Sequence, residues 1–146
     1  MGCLAMQTTK NWLVLKKYFF TLTFISWTVF ITLLSLFSFS ESSLPRVDIP
    51  NVDKLVHAAF YFGVVVLGCL FIREISQGKI SKKTGMTVMG LFAVVYGIVI
   101  EVLQGALTQT READFMDAVA NSVGVLLGLF LINVIFSGKT AFKWND

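Results

Sequence analysis

Asp53, His57 and Tyr61 recur at four-residue intervals at the head of an apolar run, and Glu101, Gln104, Asp114, Asp117 and Asn121 interrupt two later ones. His57 is the chain's single histidine. A carboxylate one helical turn away could orient its ring, and histidine is the side chain that exchanges protons near neutral pH, so the grouping suits general acid-base work. Arg111 lies between the last two polar blocks, and its planar donors fit a lipid phosphate or a peptide carboxylate. Each has a plainer role as well. His57 could be a hydrogen-bonded strut to Glu101 or Asp117, and Arg111 an interfacial cation paired with Glu112 or Asp114. His57, Glu101, Asp114 and Asp117 together offer the nitrogen and oxygen donors a divalent metal accepts, but their spacing matches no zinc motif. No metal or other cofactor is assigned, and one histidine excludes bis-histidine haem ligation within a protomer.

The elements that position these residues are set by composition. Of 146 residues, 55% are hydrophobic and only 14% charged, with a mean hydropathy of +0.75. These are values for an integral membrane protein, not a soluble domain. Four stretches are long enough to span: residues 18–39, 54–72, 85–107 and 114–137. About 20 apolar residues cross a hydrocarbon core of roughly 30 Å, so four helices fit with short connections. With no water in lipid to satisfy the backbone, the expected fold is all-α, a polytopic bundle of four transmembrane helices. Residues 1–17 form an N-terminal segment, 18–138 the membrane domain and 139–146 a tail. The first run also has the basic prefix of a signal peptide, but its apolar part, about 22 residues, exceeds the usual 7–15, favouring a retained helix.

Orientation follows from the basic residues. Lys10, Lys16, Lys17, Arg73, Lys79, Lys82, Lys83, Lys139 and Lys143 fall on one side of a four-span arrangement, and Arg46, Lys54 and Arg111 on the other. Both termini are therefore expected in the cytoplasm, with the polar residues at the outer end of the bundle. The 79–83 segment reads as an anchor to anionic inner-leaflet lipid, not a nucleic-acid site. Cys3 and Cys69 fall at different depths and are not expected to pair. Met1-Gly2-Cys3 lacks the serine or threonine at position 6 of an acylation start.

Helical phase tests whether the polar residues can meet. At about 100° per residue, Asp53, His57, Tyr61 and Gly68 share one face of the second helix. Gly90, Ala93, Gly97, Glu101 and Gln104 share one face of the third, and Asp114, Asp117, Asn121, Gly124 and Gly128 one face of the fourth. Gly97 and the Gly124-x-x-x-Gly128 pair are the expected packing positions, where small residues let helices approach, and Asn121 or Gln104 could hydrogen-bond between helices. Asp, Glu and His at one depth point further, to function.

Three blocks carry a family resemblance. They are Asp53-Lys54-x-x-His57-x-x-x-Tyr61, then Tyr96-Gly97-x-x-x-Glu101-x-x-Gln104, then Arg111-x-x-Asp114-x-x-Asp117-x-x-x-Asn121-x-x-Gly124-x-x-x-Gly128. In order and spacing, over roughly residues 50–131, the chain resembles the VanZ-like family of small bacterial membrane proteins. The resemblance implies a multi-pass protein of the bacterial cytoplasmic membrane and cell envelope, in a family named for a link to low-level teicoplanin resistance.

Two functions from different classes are compatible with these residues. In the first, Asp53, His57, Tyr61, Glu101, Gln104, Arg111, Asp114, Asp117 and Asn121 line an outward-facing pocket. It would bind a membrane lipid or a lipid-linked wall precursor and alter drug access. In the second, the protein is a small enzyme acting on an envelope lipid, with His57 as proton shuttle, Asp117 or Glu101 as its partner carboxylate, and Arg111 holding a phosphate. Binding without catalysis is preferred, because the sequence shows no obvious nucleophile. Partners beyond lipid, and the oligomeric state, are not readable from the sequence.

Overall fold

Each apolar run forms one α-helix. The computed structural model describes residues 17–36, 52–107, 115–137, 143 and 144. In chain order these give α1 (Phe19–Leu36), α2 (Val52–Ile75), α3 (Lys82–Leu107) and α4 (Phe115–Ile135). No strand occurs among the described residues. All four helices are long and apolar enough to cross a membrane. Helix α2 is the hub, packing on α1, α3 and, most extensively, α4.

The bundle buries its few interior polar side chains beside an apolar core and leaves many large apolar side chains on its outer surface. Helix α2 buries His57, Tyr61, Val64, Val65, Gly68, Cys69 and Ile72, the three- and four-residue spacing of one helical face. Leu91, Val95, Ile98 and Val102 of α3, and Leu126 and Phe130 of α4, are exposed. Such a surface is an aggregation hazard in water and a matched one in lipid. The close approach of α4 to α2 depends on two glycines. A Cβ on Gly124 would drive into the Ala58 carbonyl of α2, and one on Gly128 would lie 2.9 Å from Val65 Cβ. The Gly-x-x-x-Gly pair is thus occupied within the protomer.

Helix α1 is held by polar groups reaching from α2 and α3. Trp27 Nε1 donates to the Phe60 carbonyl at 3.1 Å, and Tyr96 Oη donates to the Thr28 carbonyl at 3.0 Å. At its start, the Glu74 carboxylate of α2 accepts from the Phe20 and Thr21 amides at 3.0 and 2.8 Å. These amides lack partners within their own helix, and an anion there also opposes the helix dipole.

The basic segment between α2 and α3 is shorter than its charge pattern implies. Arg73 belongs to α2, and Lys82 and Lys83 to α3. Gly78, with φ of 72°, turns the chain, and the Ser81 hydroxyl caps α3 by accepting from the Thr84 amide at 3.2 Å. Lys82 is buried because its ammonium donates to the Phe136 carbonyl just past α4. Arg73 donates to the Lys143 carbonyl at 3.0 Å, and Trp144 Nε1 to that of Ile80 at 2.7 Å. The start of α1 and the tail therefore meet at one end of the bundle, and the candidate site lies at the other.

Candidate functional site

The first turns of α2, the last turns of α3 and the first turns of α4 converge at that opposite end. His57 is buried there, with Glu101 and Asp117 partly buried on either side. Its Nδ1 lies 3.1 Å from Asn121 Oδ1 and 3.9 Å from Glu101 Oε1. Its Nε2 lies 3.7 Å from Asp117 Oδ2. The Asn121 amide nitrogen lies 3.5 Å from Glu101 Oε1. Lys54, three residues before His57, brings its ammonium to 3.6 Å from the other Asp117 oxygen. Five side chains from three helices thus form one polar cluster.

The order of donors in this cluster follows from Glu101. An ionised carboxylate can only accept, so the Asn121 NH2 turns towards it and the Asn121 oxygen turns towards His57. That oxygen accepts from the imidazole, which places a proton on Nδ1. The remaining nitrogen, Nε2, faces Asp117.

Beside the cluster, a cleft of about 320 Å³ separates α3 from α4, with Gly97, Ile98, Glu101, Val102, Asn121 and Ser122 among its lining. Ile98, Val102 and Ser122 are exposed residues, so the cleft opens on the outer face of the bundle. Its walls are largely apolar, and its polar side chains are Glu101, Asn121 and Ser122. Tyr61 reaches the same place from α2. A Cβ on Gly97 would lie 3.4 Å from the Tyr61 hydroxyl, so the absence of a side chain at Gly97 is what admits the ring. Tyr61 is 1% exposed, yet its hydroxyl has no hydrogen-bond partner. Buried hydroxyls are usually satisfied, and an unsatisfied one beside a cleft marks a place for a ligand or water.

The other expected residues fall elsewhere. Asp53 is exposed, and its carboxylate meets Lys54 at 3.4 Å. Gln104 is buried against α1, where its amide donates to the Ser35 carbonyl at 3.0 Å. Arg111 and Asp114 lie outside the described residues. Gly97, Gly124 and Gly128 pack as close-approach positions. Lys54 was read from the sequence as a topology charge and as part of the first family block, not as a site residue. Its available signal was position, since three residues before His57 puts it on the same helical face.

The chain matches no protein-family model, no curated protein and no solved structure.

Proposed function

We propose that this chain is a VanZ-like protein of the bacterial cytoplasmic membrane that holds the headgroup of an envelope amphiphile, a lipid or a lipid-linked wall precursor. The observation that carries the reading is the cleft between α3 and α4, largely apolar and bearing Glu101 and Asn121, with the unpartnered Tyr61 hydroxyl buried behind Gly97. Ligand sites combine this kind of apolar wall with a few converging polar groups. An acyl or prenyl chain fits the walls, and the headgroup meets the cluster, where the Asn121 amide and the Tyr61 hydroxyl supply polar contacts. With the basic residues Lys17, Arg73, Lys79, Lys83 and Lys143 at the far end, both termini are cytoplasmic and the headgroup site faces outward. Capture of a wall precursor there would change its exposure to a glycopeptide such as teicoplanin.

A second reading rests on His57, whose Nε2 faces Asp117 at 3.7 Å: acid-base catalysis on the same amphiphile. One experiment separates them. The full-length protein is purified in nanodiscs formed directly from its membrane, and the retained lipids are measured by mass spectrometry. Val94→Trp fills the cleft without touching the cluster, and should remove the retained amphiphile. Equal retention in wild type and Val94→Trp defeats the binding reading. New lipid species that accumulate with wild type and vanish with His57→Gln establish the enzyme instead.

A further inference from the structure

The hydrogen-bond order around His57 creates an unusual pair. Asn121 stands between Glu101 and His57 Nδ1, and the other ring nitrogen, Nε2, faces the Asp117 carboxylate. Nε2 and Asp117 Oδ2 stand 3.7 Å apart in a largely buried setting. A proton on Nε2 fits poorly, since N–H···O bonds span about 2.7–3.2 Å. A metal ion fits well. Two ligands at about 2.1 Å from one ion stand 3.7 Å apart when the angle between them is about 120°.

The third donor is already close. One donor atom from each of His57, Glu101 and Asp117 lies within 4.8 Å of the other two. Two ligands at about 2.1 Å from a tetrahedral ion stand about 3.4 Å apart, so side-chain movements of up to about 1.4 Å close the set. The charges agree as well. Among the described residues of the cluster, two carboxylates face one ammonium, Lys54, which approaches Asp117 Oδ1 and leaves Oδ2 to the ion. Asn121 plays the outer role common at metal sites, holding the ligating ring in one tautomer and orientation. The sequence hides this set because each ligand comes from a different helix.

We propose that His57, Asp117 and Glu101, one donor atom from each, form a three-ligand site for one divalent transition-metal ion of the zinc class. One histidine and two carboxylates suit such an ion, and three protein ligands leave a position open. Glu101 lines the cleft, so the open position faces it, and a phosphate or carboxylate entering the cleft completes the sphere. The site stands whether or not the cleft holds an amphiphile.

The test uses full-length protein in detergent micelles, stripped with chelator and titrated with Zn2+ alone, with Co2+ as a spectroscopic probe. Wild type should bind one equivalent of Zn2+, show ligand-field bands with Co2+, and gain thermal stability with either ion. His57→Gln and Asp117→Asn should lose all three responses, and Asn121→Ala should weaken binding by about 10- to 100-fold. Lys54→Gln removes the competing ammonium and should bind Zn2+ more tightly than wild type, a gain that a misfolded protein cannot give. Wild type that takes up no stoichiometric Zn2+ overturns the site. Equal Zn2+ affinity in wild type and His57→Gln also overturns it.

Discussion

Gly124→Ala tests the architecture that brings the cluster together. A methyl group there would sit 2.9 Å from the Ala58 carbonyl carbon and 3.0 Å from its Cα, and nearer still to the oxygen. Carbon atoms settle at about 3.5–4.0 Å, so α4 must withdraw from α2 by about 0.5–1 Å. Relief by rotation is not open, because the obstacle is backbone and not the end of a side chain. Overpacking of this kind costs about 1–3 kcal/mol. With a rigid obstacle we expect about 2 kcal/mol, roughly a 30-fold fall in the folded-to-unfolded ratio. Gly90→Ala is the matched control, since its Cβ would meet only Leu129 Cδ1 at an ordinary 3.5 Å; it should change stability by no more than about 0.5 kcal/mol. Reversible unfolding with sodium dodecyl sulfate in mixed micelles, followed by circular dichroism, measures both. Asn121 lies one turn before Gly124, so the same withdrawal should lengthen its 3.1 Å contact with His57 and weaken metal binding. Identical unfolding midpoints for Gly124→Ala and Gly90→Ala would refute the close α2–α4 contact and the site geometry built on it.

Three other outcomes are expected. Tyr61→Phe removes a buried hydroxyl with no partner, so delipidated protein should become more stable by about 1 kcal/mol in the same titration, while retaining less amphiphile. Glu74→Ala strips the cap from the Phe20 and Thr21 amides and should destabilise by about 1–2 kcal/mol, with faster hydrogen exchange confined to the first turn of α1. In a Cys3→Ser background, Asp48→Cys and Gln109→Cys should react with an impermeant thiol reagent added outside intact cells and Lys79→Cys should not; the opposite pattern would turn the site to the cytoplasm.

The helices were legible because lipid imposes one solution on long apolar runs. Residues expected over 54–72 form α2 over Val52–Ile75, and those expected over 85–107 form α3 from Lys82. Both additions are polar or charged turns, which hydropathy assigns to loops. Their helical state comes from contacts in three dimensions: Ser81 capping α3, and Lys82 reaching the Phe136 carbonyl. Helical phase also gathered His57, Tyr61, Glu101, Asp117 and Asn121 correctly onto inner faces. It could not separate Gln104 from them, because phase gives a direction around a helix and not which neighbour stands there. Gln104 shares the face of Glu101 yet meets α1 at Ser35.

Phase is silent on the matter that decides the chemistry, which atom faces which. Glu101, Asn121 and His57 could be arranged so that every group is satisfied, or so that acceptors oppose each other. Only the relative heights of α2, α3 and α4 choose between these. Those heights are set by Gly124 and Gly128 seating α4 against Ala58 and Val65, and by Gly97 making room for the Tyr61 ring. The glycines that read as mere packing positions therefore determine the chemistry. By fixing the depth of Asp117 relative to His57, they hold Nε2 and a carboxylate oxygen 3.7 Å apart, longer than a hydrogen bond and within the span of two ligands of one ion.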